Sequence, residues 1–135
     1  MLYGVQGVGK TTWAASARAP VFVQTEEGAN DIGPDRFPVS TSFDEVLANL
    51  RKLGEHDHAF ETVVIDSLDW LEQLIWRKVC QEKGVSSIED IGYGKGYVAA
   101  VDLWKKVIAC LDWLRDHKGM ATVLIAHSRV ERQGY

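Results

Sequence analysis

The chain has 135 residues, 46% of them hydrophobic and 25% charged, and a formal net charge of −4. That length supports one domain with a real core and excludes two comfortable ones, and the acidic balance excludes a chain-wide polyanion binder, leaving only local basic patches. No apolar run reaches transmembrane length, no signal-peptide pattern is present, and Cys80 and Cys110 stand outside any CxxC or Cys/His spacing, so the expectation is a cytoplasmic protein with reduced thiols and no membrane contact.

In chain order, Leu2-Tyr3 reads as the stub of a first strand, and Lys10 to Ala17 as a helix that must end before Pro20. Val21-Phe22-Val23 is a short buried strand. Residues 26–36, with Gly28, Asn30, Gly33 and Pro34, form a loop, and Phe37-Pro38-Val39 adds a brief extended piece. Ser42 and Glu45 have the spacing of a capping box, so a helix runs from Phe43 to about Leu53 and stops at Gly54.

Thr62 to Ile65 is a β-branched run, the pattern of a strand buried on both faces. The next helix carries Leu68, Leu71, Leu74, Ile75 and Val79 and ends at Gly84. Residues 85–97 read as a glycine-rich loop. A long helix with Val98, Val101, Leu103, Trp104, Val107, Ile108, Leu111 and Leu114 follows, closed by Gly119, and Ala121 to Ala126 is the last buried strand. Uniformly apolar strands alternating with helices predict a single α/β domain whose parallel sheet is flanked by helices.

Gly4-Val5-Gln6-Gly7-Val8-Gly9-Lys10-Thr11 matches G-x-x-x-x-G-K-[ST] at every position, the P-loop pattern. Glycines let the backbone wrap a phosphate with its N–H groups, and the helix that follows points its positive end at the same anion. Lys10 then reaches the β- and γ-phosphates and Thr11 places its hydroxyl on Mg²⁺, so Gly4 through Thr12 form the expected site for ATP with Mg²⁺. The motif follows an apolar stub and opens a helix, a context that a chance glycine-rich turn does not supply.

Asp66 ends the Thr62–Ile65 strand, where ligands bind in such sheets. Two readings stand: a carboxylate that holds Mg²⁺ through water, or a cap for the helix beginning at Leu68; the upstream P-loop favours the metal. Hydrolysis also needs a group to orient water. Glu26, just past the second strand, is the candidate, with Glu27 the substitute. His127, leaving the last strand at the same edge, is placed to contact the γ-phosphate, or is simply a polar residue at a strand end.

In this order the pieces resemble the RecA/RadA recombinase core, and most nearly the phage RecA-like ATPases of the Sak type, over nearly the whole chain. The residues that carry the resemblance are the P-loop, Thr25-Glu26, Asp66-Ser67, Gly92-Tyr93-Gly94-Lys95-Gly96-Tyr97 and Ile125-Ala126-His127-Ser128. It implies that Glu26 activates water, that Asp66 serves Mg²⁺ and that His127 takes the sensor position, where the recombinases usually carry glutamine. It also implies a single-stranded DNA loop around Lys95, where Tyr93 and Tyr97 can stack on bases and Lys95 can neutralise a phosphate. A homo-oligomer follows, since recombinase-like ATPases generally complete their site across subunits, with Arg129 and Arg132 as arginine-finger candidates. With a stub for a first strand and only Ser128 to Tyr135 after the sensor, the core looks truncated at both ends.

The expected function is an Mg²⁺-dependent ATPase acting with single-stranded DNA in phage recombination or repair, in the cytoplasm of the host cell. The alternatives are a nucleotide-switched interaction module and a P-loop kinase for a small molecule. Trp13, Trp70, Trp76, Trp104 and Trp113 read as packing or interface residues, and His56 and His58 beside Asp57 are too few for a metal site.

Overall fold

The computed structural model describes residues 2–5, 17–25, 37–87 and 91–128, with the backbone alone at 2–5, 93, 127 and 128. Its strands are β1 (Leu2–Val5), β2 (Pro20–Gln24), β3 (Thr62–Asp66) and β4 (Ala121–Ser128). Its helices are α1 (Phe43–Glu55), α2 (Leu68–Lys83) and α3 (Tyr93–Lys118). The sheet has the order β1-β4-β3-β2, and every neighbouring pair is parallel.

Alternation along the strands separates the two faces. Val21, Val23, Val63 and Ile65 turn to a core built with α1, α2 and α3, which contribute Leu50, Leu71, Ile75, Leu103 and Leu114 among others. Phe22, Val64 and Ile125, each fully buried, form a second cluster with Val123 on the opposite face. The unbroken apolar strand pattern therefore arises from burial on both sides. Outside β2, the backbone of Phe37 donates to Phe22 and that of Ser40 to Gln24, at 3.0 and 2.8 Å, so the expected extended piece lies along this strand.

The Ser42 hydroxyl accepts from the Glu45 amide at 3.2 Å, while the Glu45 carboxylate accepts from the Thr41 amide and hydroxyl rather than closing on Ser42. Gly84 and Gly119, both left-handed, end α2 and α3 as expected. Two helix boundaries differ from the sequence reading. Helix α1 continues through Gly54 to Glu55, because this glycine serves a close approach: a Cβ there would stand 2.9 Å from the Trp113 ring. Helix α3 begins at Tyr93, so Gly94-Lys95-Gly96-Tyr97 is its first turn and not a loop. Its buried side, with Ala100, Leu103, Val107, Leu111 and Leu114, outweighs the poor helix propensity of two glycines. Val98 and Ile108, among the apolar residues of this helix, are exposed. No described helix is long and apolar enough to cross a membrane.

Candidate functional site

At the carboxyl edge of the sheet Asp66 ends β3 and is 1% exposed, and Ser67 behind it is fully buried. Thr25, just past β2, ties the two strand ends together. Its amide donates to the Asp66 carbonyl at 2.8 Å. Its hydroxyl donates to the Ser67 carbonyl and accepts from the Ser67 amide, each at 2.9 Å. The Asp66–Ser67 peptide is cis. The N-cap of α2 is Ser67, so Asp66 belongs to the strand and does not occupy the capping position.

The register sets the other side of the edge. Asp66 pairs with Ile125 and Leu2 with Ile125, whereas Gly4 pairs with His127 and Val5 with Ser128. The first P-loop glycine and His127 thus lie about 7 Å beyond the level of Asp66 at ~3.3 Å per residue. Strands β1 and β3 are two spacings apart, about 10 Å, and β4 fills the gap. His127 is therefore carried on the strand between the start of the P-loop and Asp66. Gly4 and Val5 are the last residues of β1. Gln6 to Thr12, including Lys10 and Thr11, and Glu26, Glu27, Arg129 and Arg132 lie outside the described residues.

Gln24 was not among the sequence candidates. It ends β2 directly opposite Asp66, on the face that carries Phe22 and Val64. Its side chain is fully buried, and among the described residues neither Nε2 nor Oε1 has a hydrogen-bond partner. Leaving a buried amide so costs about 1–3 kcal/mol per group. The only sequence signal was a polar residue closing an otherwise apolar buried run. A buried carboxylate beside an orphaned amide is an oxygen donor set that suits a hard cation such as Mg²⁺, which takes one or two protein carboxylates and keeps several waters. Among the described residues no cluster of three or more His, Cys, Asp or Glu could hold a metal unaided.

Helix α3 returns the chain to the start of β4 and so runs antiparallel to it. At 1.5 Å per residue its 26 residues span about 39 Å, against about 26 Å for the eight residues of β4, so its first turn overhangs the carboxyl edge. Lys95 and Tyr97 are exposed there. An apolar cavity of about 260 Å³ between α1 and α3, beside Trp113, lies at the opposite end. Burial there pushes the Cys110 thiol up, partly countered by Arg51. His58 is engaged in a turn, its Nε2 on the Leu53 carbonyl at 2.9 Å and its Nδ1 accepting from the Phe60 amide at 3.1 Å.

A parallel sheet that leads one strand into a P-loop motif and ends another in a buried aspartate defines a P-loop NTPase-like α/β domain. The model of the AAA domain family matches residues 1–135, and the chain belongs to that family, one of P-loop AAA-type ATPases. The chain is also similar to the "SPbeta prophage-derived uncharacterized protein YorG" of Bacillus subtilis (strain 168), at 24% identity over 98% of this chain. It spans 42% of that relative's length.

Proposed function

We propose that this domain hydrolyses ATP with Mg²⁺ and couples the reaction to single-stranded DNA in a recombinase-like, phage-related setting within the host cytoplasm. The observation that carries the reading is the gathering of Gly4, His127 and the buried Asp66 at one edge of a parallel sheet. Gly4 to Thr12 would bind the triphosphate, with Lys10 on its β- and γ-phosphates. Thr11 and Asp66 would hold the cation, which supplies charge neutralisation of the phosphates when bound. The hydroxyl clamp at Thr25 fixes the residue that precedes Glu26, the proposed water-orienting acid, in the chain. His127 would sense the γ-phosphate from the strand between the two binding elements. Lys95 and Tyr97, exposed at the overhanging start of α3, support a DNA contact on this same edge, with Tyr93 beside them, and the prophage origin of the relative supports the setting. Assembly of several copies would let Arg129 or Arg132 reach a neighbour's nucleotide.

The test is ATP hydrolysis by the purified protein with Mg²⁺, with and without single-stranded DNA, against a Lys10→Ala control. Turnover stimulated by DNA and absent in the control is expected. Normal ATP affinity in folded Lys10→Ala would overturn the P-loop assignment. Turnover indifferent to DNA would remove the DNA coupling.

A further inference from the structure

Gln24 is fully buried, yet among the described residues its carboxamide has no hydrogen-bond partner. The backbone cannot shift to relieve this. Its strand is paired with β3 on one side, and on the other its carbonyl accepts from the Ser40 amide at 2.8 Å. In-register parallel partners direct their side chains to the same face, so the amide and the Asp66 carboxylate are neighbours across one strand spacing, about 4.8 Å between backbones. A glutamine kept for structure would be bonded within the protein, and one kept for packing would be better replaced by an apolar residue beside Phe22 and Val64. An amide with both donor and acceptor unused, next to a buried carboxylate at the ligand edge of the sheet, is complementary to partners that arrive with a ligand.

We propose that Gln24 is a positioning residue of the cation site, its carboxamide bonding to the water shell of the Mg²⁺ that Asp66 serves. This rests on the Mg²⁺–nucleotide reading above. Water bound to a cation turns its hydrogens outward, so Oε1 of Gln24 is the matching acceptor. Nε2 then donates to the adjacent carboxylate of Asp66 and holds it in orientation. Partners of this kind around a metal typically change its affinity 10–100-fold when removed.

The experiment compares wild type with Gln24→Met, an apolar near-isostere, and with Gln24→Glu, which keeps the acceptor. A fluorescent non-hydrolysable ATP analogue is titrated in EDTA and across a Mg²⁺ series, and melting is followed without nucleotide. Gln24→Met is expected to bind the analogue normally in EDTA, to need about tenfold more Mg²⁺ for the half-maximal effect, and to melt no lower than wild type, because it removes an unpaired amide. Gln24→Glu is expected to recover the wild-type Mg²⁺ requirement or better, and to gain thermal stability from Mg²⁺. It decides the matter alone if Gln24→Met does not fold, an unaltered melting temperature on adding Mg²⁺ then overturning the proposal. A Mg²⁺ midpoint unchanged in Gln24→Met, or an equal loss of binding with and without Mg²⁺, overturns the role of Gln24 while leaving the nucleotide reading intact. Wild-type protein that binds no nucleotide, or binds it without regard to Mg²⁺, overturns the parent reading and this one with it.

Discussion

The Thr25 hydroxyl uses both its donor and its acceptor on one residue, Ser67, with each hydrogen bond 2.9 Å long. Both residues are buried, and 42 positions separate them in the chain. The contact joins two strand ends at the point where one has just passed Asp66 and the other is about to reach Glu26. A threonine beside an acid reads from sequence as part of a motif, whereas in the structure it fastens the end of β2 to the end of β3.

Thr25→Val keeps the shape and removes the hydroxyl. It takes the Thr25 partner from the Ser67 amide in a buried place, while the Ser67 carbonyl keeps the Leu71 amide at 3.1 Å, so a loss of about 1–3 kcal/mol in unfolding free energy is expected, measurable by urea denaturation. Thr25→Ser should lose about 1 kcal/mol or less, since only a methyl group goes. Equal stabilities for wild type and Thr25→Val would show that the clamp contributes nothing.

Gly54→Ala separates two opposing effects. Alanine in a helix interior is favoured over glycine by about 1 kcal/mol, but its Cβ would meet the Trp113 ring at 2.9 Å. Trp113 also stacks on His117, with ring centroids 4.4 Å apart, so displacing it has a further cost. Gly54→Ala alone should destabilise by about 1 kcal/mol, and the same change in a Trp113→Ala background should stabilise by a similar amount. A thermal-denaturation double-mutant cycle reads the difference; additive effects would mean that the two residues do not compete for space.

The strand and helix order was legible because parallel strands buried on both faces are written as unbroken apolar runs, as at Val63-Val64-Ile65, and because Gly84 and Gly119 sit where a left-handed cap is needed. Gly54 and the turn at Tyr93–Tyr97 were misread for a common reason: glycine marks a backbone need, and sequence does not say whether that need is a stop, a close approach or a start. The position of Asp66 followed from its strand. Its neighbour Gln24 did not, because an orphaned amide is a fact of three-dimensional burial that no spacing encodes.

Glu26→Gln and Glu27→Gln decide which acid orients water. Both lie just past the Thr25 clamp, and neither is among the described residues. Glu26→Gln should bind ATP with wild-type affinity and lose turnover by 10²-fold or more, the scale of a lost general base, on the order of 10²–10⁴. Glu27→Gln should stay within a few-fold of wild type. A steady-state ATPase assay with a parallel binding titration checks both, and the reverse pattern would transfer the role to Glu27.

Lys95→Ala tests whether the overhanging start of α3 meets nucleic acid. The side chain is exposed in the first turn of a helix, where the positive end of the dipole disfavours a cation. A lysine there adds nothing to helix stability, so Lys95→Ala should fold at least as well as wild type, and any binding defect can be read directly. On single-stranded DNA, loss of one phosphate contact should weaken binding and reduce the slope of log affinity against log salt by about 0.7. Tyr97→Ala, at an equally exposed position, should lower affinity by about 1–3 kcal/mol if the ring stacks on a base, with the salt slope unchanged. Fluorescence anisotropy with a labelled oligonucleotide at several salt concentrations separates the two contributions, and a Lys95→Ala variant with wild-type affinity and slope would place the DNA contact elsewhere on the molecule.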